Sequence, residues 1–165
     1  MRHFTPEEAN AALTDVRPLV EQMVAHRRAH VDAQARQEEL EGHIRGNGGG
    51  IPPAELAEAA AEVERAAREL AHTVDDLTAL GVEVKDIDEG LVDFPALRHG
   101  ETVLLCWRLG EDDIAYWHTL EDGFAGRHWD AVARKNGFRL VLVNFHRYKT
   151  PNRIVRRLSA SSVCE

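Results

Sequence analysis

The chain has 165 residues, 44% apolar and 29% charged, and carries a net charge of −8. This composition excludes a disordered chain and fits one ordinary globular domain with room for an extension. No run approaches the roughly 18 apolar residues of a membrane span, the start lacks a basic-then-apolar secretion signal, and two distant cysteines, Cys106 and Cys164, make no disulfide framework, so a reducing cytoplasm is the expected location.

Thr5-Pro6-Glu7-Glu8 opens the first element. Thr5 can cap a helix, Pro6 suits the first position because its missing N–H would be an orphan there, and Glu8 completes a capping box. Apolar residues recur at Ala9, Leu13, Val16, Val20, Met23 and Val31, with Arg27 in the same stripe, which is one helical face close to a coiled-coil seam. Pro18 lacks the donor an interior position needs, so the pattern predicts a kink, or a break near Asp15 with Asp15 capping a second helix. Past Val31 the stripe thins to Ala35, Leu40 and Ile44 among charged residues, as in a helix standing out into solvent. Gly46 to Gly50 ends it, and Pro52 and Pro53 restart the chain.

Leu56, Ala59, Val63, Ala66, Leu70, Val74 and Leu77 then follow a three–four spacing, closed by Gly81. Two such seams joined by a glycine turn make an antiparallel helical hairpin, its second arm about 40 Å long at 1.5 Å per residue. The alanines permit close approach of a partner helix, so the Ala/Leu stripe is an expected surface for a homodimer or another protein partner.

At Gly81 the period changes. Val82, Val84 and Ile87 suggest a short strand, and Leu91 to Phe94 another before Pro95. Glu101–Arg108 and Asp113–Thr119 read as a β-hairpin around a four-residue loop. In that register Leu105 faces Tyr116 and Val103 faces His118, which puts Cys106 and His118 on opposite faces and speaks against their acting as a pair. Arg108 would face Asp113 as a cross-strand ion pair.

FTPEEAN near the start and GVEVKDIDEGLVDFPALRHGETVLLCWRLGEDDIAYWHTLEDGFAGR at residues 81–127 resemble the prokaryotic family known as domain of unknown function 2203. The resemblance covers roughly residues 3–127. It implies a small cytoplasmic protein with a long helical N-terminal part and no assigned activity. The sequence after Arg127 departs from the family pattern, which stops soon after the GFAGR-like segment.

Residues 1–127 hold 12 Lys+Arg against 26 Asp+Glu, whereas residues 128–165 hold 8 against 2. In the extension His128 to Lys135 reads as a helical turn and Phe138 to Phe145 as a strand, with basic residues continuing up to Arg157. Such a basic tail can meet phosphates, but the acidic body would repel the same nucleic acid, so an intramolecular or partner-directed role is favoured.

Several residues are candidates for chemistry. Asp86, Asp88, Asp93, Glu111, His118 and Glu121, with Glu8, form an acidic set with one histidine. Within it Asp93, Glu111 and His118 are the expected ligands of a divalent metal, the only cofactor the residues suggest. The plainer alternative makes Asp86 and Asp88 turn residues and His118 a hydrogen-bonded strand residue. Arg108, Trp107 and Tyr116 are the expected ligand-binding set, since a guanidinium and aromatic rings stack on flat molecules, although such rings more often form the core of a small sheet. His26 and His30 have chelating i, i+4 spacing, but the arginines between them oppose a cation. Cys106 reads as a buried, inert thiol.

Together these features predict an α+β protein. A helical hairpin (1–80) would carry a small antiparallel sheet (81–127), followed by a basic extension (128–165). The expected role is a scaffold or protein-interaction module working through the hairpin. The alternative is a metal-dependent or small-molecule enzyme or binding protein with its pocket where the hairpin base meets the sheet.

Overall fold

The computed structural model describes residues 2–47 and 50–129; the basic extension beyond Trp129, with Cys164, lies outside the described residues. Helix α1 spans Pro6–Asn47. Its capping box is reciprocal: the Thr5 N–H donates to Glu8 Oε2 at 2.8 Å, and the Glu8 N–H donates to Thr5 Oγ1 at 3.2 Å. The expected alternative of a break near Asp15 is corrected, since α1 runs as one element through Pro18. Pro18 and Thr14 are both exposed, so the carbonyl that loses its donor faces water, while Val16 and Val20 hold the turn from the buried side. Further along, Val31 and Ala35 are exposed and Ala33 is buried in their place.

Helix α2 spans Pro53–Ala79, starting with proline where no donor is needed, and buries Ala59, Ala66, Thr73 and Leu77. His26 Nδ1 lies 3.0 Å from Thr73 Oγ1, so this stripe is turned against α1 within the hairpin. The helix ends in a Schellman motif. The Val82 N–H reaches the Leu77 carbonyl at 3.2 Å and the Gly81 N–H reaches that of Thr78 at 2.9 Å, with Gly81 at φ +86°. Among the described residues no helix is long and apolar enough to cross a membrane.

Five strands form an antiparallel meander in the order β1 (Glu83–Asp86), β2 (Leu91–Arg98), β3 (Glu101–Arg108), β4 (Tyr116–Thr119) and β5 (His128–Trp129). One face of the sheet packs Val92, Phe94, Val103, Leu105 and Trp107 against Leu13, Val16, Val20, Met23 and Leu77 of the hairpin base. Strand β2 passes through Pro95 rather than stopping before it. Beyond Asp93 no β1 residue pairs with β2, so Pro95 needs no donor on that side, and its carbonyl accepts the Phe4 N–H at 2.7 Å.

The turn between β2 and β3 has two residues, His99 (φ +53°) and Gly100 (φ +86°), the signs of a type I′ hairpin, and it sets Asp93 opposite Cys106. The β3–β4 connection overturns the expected register. Its loop is residues 109–115, not a four-residue turn, and Cys106 pairs with Tyr116 and Leu104 with His118. A shift of one residue exchanges faces, so Tyr116 and His118 share the Cys106 face while Trp117 joins Val103 and Leu105. The loop is longer because Ile114, fully buried, plugs the core, and its N–H donates to Asn10 Oδ1 at 2.9 Å. Arg108, expected opposite Asp113, instead meets Glu89 at 3.7 Å.

Candidate metal centre

The sheet face turned away from the core cluster carries cross-strand rows read directly from the register. Asp93, Cys106 and Tyr116 form one row, and Pro95, Leu104 and His118 the next. Asp93, Cys106 and His118 are 1%, 0% and 3% exposed. One oxygen, one sulfur and one ring nitrogen from these three side chains lie within 4.8 Å of one another.

The hydrogen bonds around His118 define its tautomer. Nδ1 lies 2.8 Å from the Thr119 carbonyl, which can only accept, so Nδ1 carries a proton. In the neutral imidazole Nε2 then presents a lone pair, and it faces Asp93 Oδ2 at 3.2 Å, another acceptor. Two lone pairs at that distance need a positive centre between them: a proton or a metal ion. A backbone carbonyl holding Nδ1–H while Nε2 points into a donor cluster is the usual arrangement of a metal-ligating histidine.

Asp93 is anomalous in the same way. Its Oδ1 is buried without a hydrogen-bond partner. Burial raises the Asp93 pKa above the ordinary 3.8, although His118, Lys85 and Cys106 pull it down. Lys85 reaches in from β1, its Nζ 3.9 Å from Asp93 Oδ2 and 2.8 Å from Glu83 Oε2.

The Cys106 thiol is pushed up to about 12, first by burial and then by the negative charge of Asp93, with the Arg127 guanidinium pulling the other way. A nucleophilic cysteine needs the opposite shift, which speaks against a thiol–imidazole catalytic pair here. A bound cation reverses the balance, because it deprotonates a coordinating thiol outright. Tetrahedral zinc, with bonds of about 2.0–2.3 Å, holds its donors about 3.3–3.8 Å apart, which asks for only a modest contraction of the cluster.

Among the expected metal ligands, the structure brings Asp93 and His118 together but sets Glu111 elsewhere. Glu111 organises the β3–β4 loop, accepting the Arg108 N–H at 2.9 Å and a bond from Arg127 Nη1 at 3.1 Å, while its carbonyl accepts Trp107 Nε1–H at 3.0 Å. Of the remaining acids, Asp86 receives the Glu89 N–H in a turn, Asp88 pairs with Arg27, Glu8 serves the cap, and Glu121 is exposed. The expected ligand-binding set is divided between the two faces. Trp107 is buried in the core under Arg17, whereas Tyr116 lies on the other side beneath Arg127, and Arg108 pairs with Glu89 at the end of β3. At the hairpin base a cleft of about 320 Å³ opens between Arg2, Glu8, Asp15 and Leu80, and none of Asp93, Glu111 and His118 lines it.

Cys106 is the buried thiol the sequence predicts, but its place beside Asp93 and His118 was missed, although a signal was present. His99-Gly100 between two apolar runs marks a two-residue turn, and counting outward from it pairs Asp93, the one charge in Leu91–Leu97, with Cys106.

The comparisons with known proteins give a family and no chemistry. No curated protein and no solved structure matches the chain. One family model, described as "Uncharacterized conserved protein (DUF2203)", matches residues 2–129, the stretch that contains both the hairpin and the Asp93–Cys106–His118 cluster, and the chain therefore belongs to that family.

Proposed function

We propose that the protein binds one transition-metal ion, zinc by preference, between Asp93, Cys106 and His118. The observation that carries this reading is the meeting of His118 Nε2 and Asp93 Oδ2 at 3.2 Å while Nδ1 is committed to the Thr119 carbonyl. A mixed sulfur, nitrogen and oxygen set suits zinc; magnesium and calcium require oxygen ligands. Three protein donors leave a fourth position for water or another small ligand.

The test uses full-length protein purified without a polyhistidine tag. Reconstituted and dialysed, it should hold one zinc per chain by atomic emission, and Cys106→Ser and His118→Ala should hold none while keeping their far-UV circular dichroism. Cobalt in place of zinc should produce a thiolate-to-metal absorption band that C106S lacks. Wild-type protein that retains no stoichiometric metal, or a cobalt spectrum without that band, would defeat the reading.

A second reading, a scaffold or docking module working through the hairpin, is favoured by one observation. The core cluster joining α1 to the sheet ends at Met23, so the rest of α1 and the facing part of α2 extend past the sheet as a rod with charged sides. Among the described residues Val31 is the only large apolar side chain exposed on that rod, so a partner would have to be recognised by charge. Sedimentation across a concentration and salt series tests self-association: a monomer throughout removes the homodimer version.

A further inference from the structure

Resting on the metal reading above, we propose that Lys85 is a built-in competitor for the ion: its ammonium, held by Glu83, also faces Asp93 in the metal-free protein and must turn away from it when metal binds, which weakens and slows loading. The β1–β2 ladder pairs Glu83 with Asp93 and Val84 with Val92, then slips, so that Asp86 rather than Lys85 meets Leu91. Lys85 is thus the extra residue of a β-bulge. The bulge leaves Lys85 without a cross-strand partner, and its place two residues after Glu83 puts its side chain on the face that carries Asp93.

The contact falls on the oxygen that matters. Lys85 Nζ lies 3.9 Å from Oδ2, the same atom that faces His118 Nε2, whereas Oδ1 has no partner. A divalent ion on Oδ2 would sit within a few ångströms of the ammonium, and two cations cannot share that position without strong repulsion. Lys85 has somewhere to go. Its side chain is 38% exposed on the edge strand, and Glu83 already holds it at 2.8 Å. Asp93, at 1% exposure, has no such freedom. The edge strand therefore forms the mouth of the site, with Lys85 across it.

The experiment measures zinc affinity by competition with a chromophoric chelator, and loading rate by stopped flow, for full-length wild type, Lys85→Met, Lys85→Gln and Lys85→Arg. K85M and K85Q should each bind about tenfold tighter or more, and load faster, while K85R stays near wild type. A merely structural lysine would change the melting temperature without accelerating loading. Folded K85M and K85Q with unchanged or weaker affinity and unchanged rates would overturn the proposal even if wild type holds its zinc. A wild type that takes up no zinc would instead remove the metal reading, and this proposal with it.

Discussion

The N–H of Ile114 donates to Oδ1 of Asn10 at 2.9 Å, joining residues 104 positions apart and tying the β3–β4 loop to the first turns of α1. That bond matters for the site because the loop decides the register of β4, and the register decides whether His118 shares a face with Cys106. The amide of Asn10 is itself oriented, with Nδ2 donating to the Pro6 carbonyl at 3.0 Å.

Asn10→Ala should therefore cost about 1–3 kcal/mol, the penalty for stranding a buried donor. Urea denaturation gives the value directly. A loss below about 0.5 kcal/mol, the range of ordinary surface substitutions, would mean that the buried apolar side chain of Ile114 alone anchors the loop.

Asp93→Asn should stabilise the metal-free protein at neutral pH. The unfolded carboxyl titrates near 3.8 and the buried one higher, so between those values the native state binds more protons than the unfolded state. Stability from this group is fully present below 3.8 and is lost as pH rises through the native pKa. Asn has no such dependence and can donate to His118 Nε2. The urea midpoint of D93N should exceed that of wild type at pH 7, and the difference should shrink toward pH 4. A difference independent of pH would contradict the assignment.

Zinc binding should release at least one proton at pH 7. The Cys106 thiol, pushed up to about 12, is protonated there. That proton must leave for the ion, so affinity rises with pH. Calorimetry in buffers of different ionisation enthalpy counts the protons released. A release near zero would rule out Cys106 as a ligand.

Gly90→Ala should be far more damaging than Gly110→Ala, although both glycines have positive φ (+61° and +99°). A Cβ at Gly90 would lie 2.8 Å from Leu109 Cβ and 3.0 Å from Val20 Cγ1, where the β1–β2 turn touches α1, whereas at Gly110 it would meet open space. We expect about 1 kcal/mol at Gly110, from backbone strain, and at least about 2 kcal/mol more at Gly90, from overpacking. Thermal melts of the two variants separate these effects, and equal losses would show that φ alone governs both.

Much of the hairpin was legible because its signals are local. The capping box at Thr5–Glu8 and the glycine after Leu80 act within a few residues, and the Ala9-to-Met23 stripe repeats within one helix. Where the stripe left the sheet, at Val31 and Ala35, its reading failed, because the surface facing α1 had changed from sheet to helix. The site was half legible. Asp93 and His118 could be singled out by residue type, but Glu111 looked equally suitable and serves the loop, and Cys106 was set aside through a register one residue wrong.

By itself the sequence determined the two helices, their caps and the presence of an antiparallel sheet, since each depends on spacing along a short stretch of chain. Tertiary structure alone decided which strand faces meet. The period of a strand is two, so one extra residue in the 109–115 loop exchanges every side chain of β4 between faces, and that residue is held by Ile114 in the core and by Asn10 from the far end of the chain.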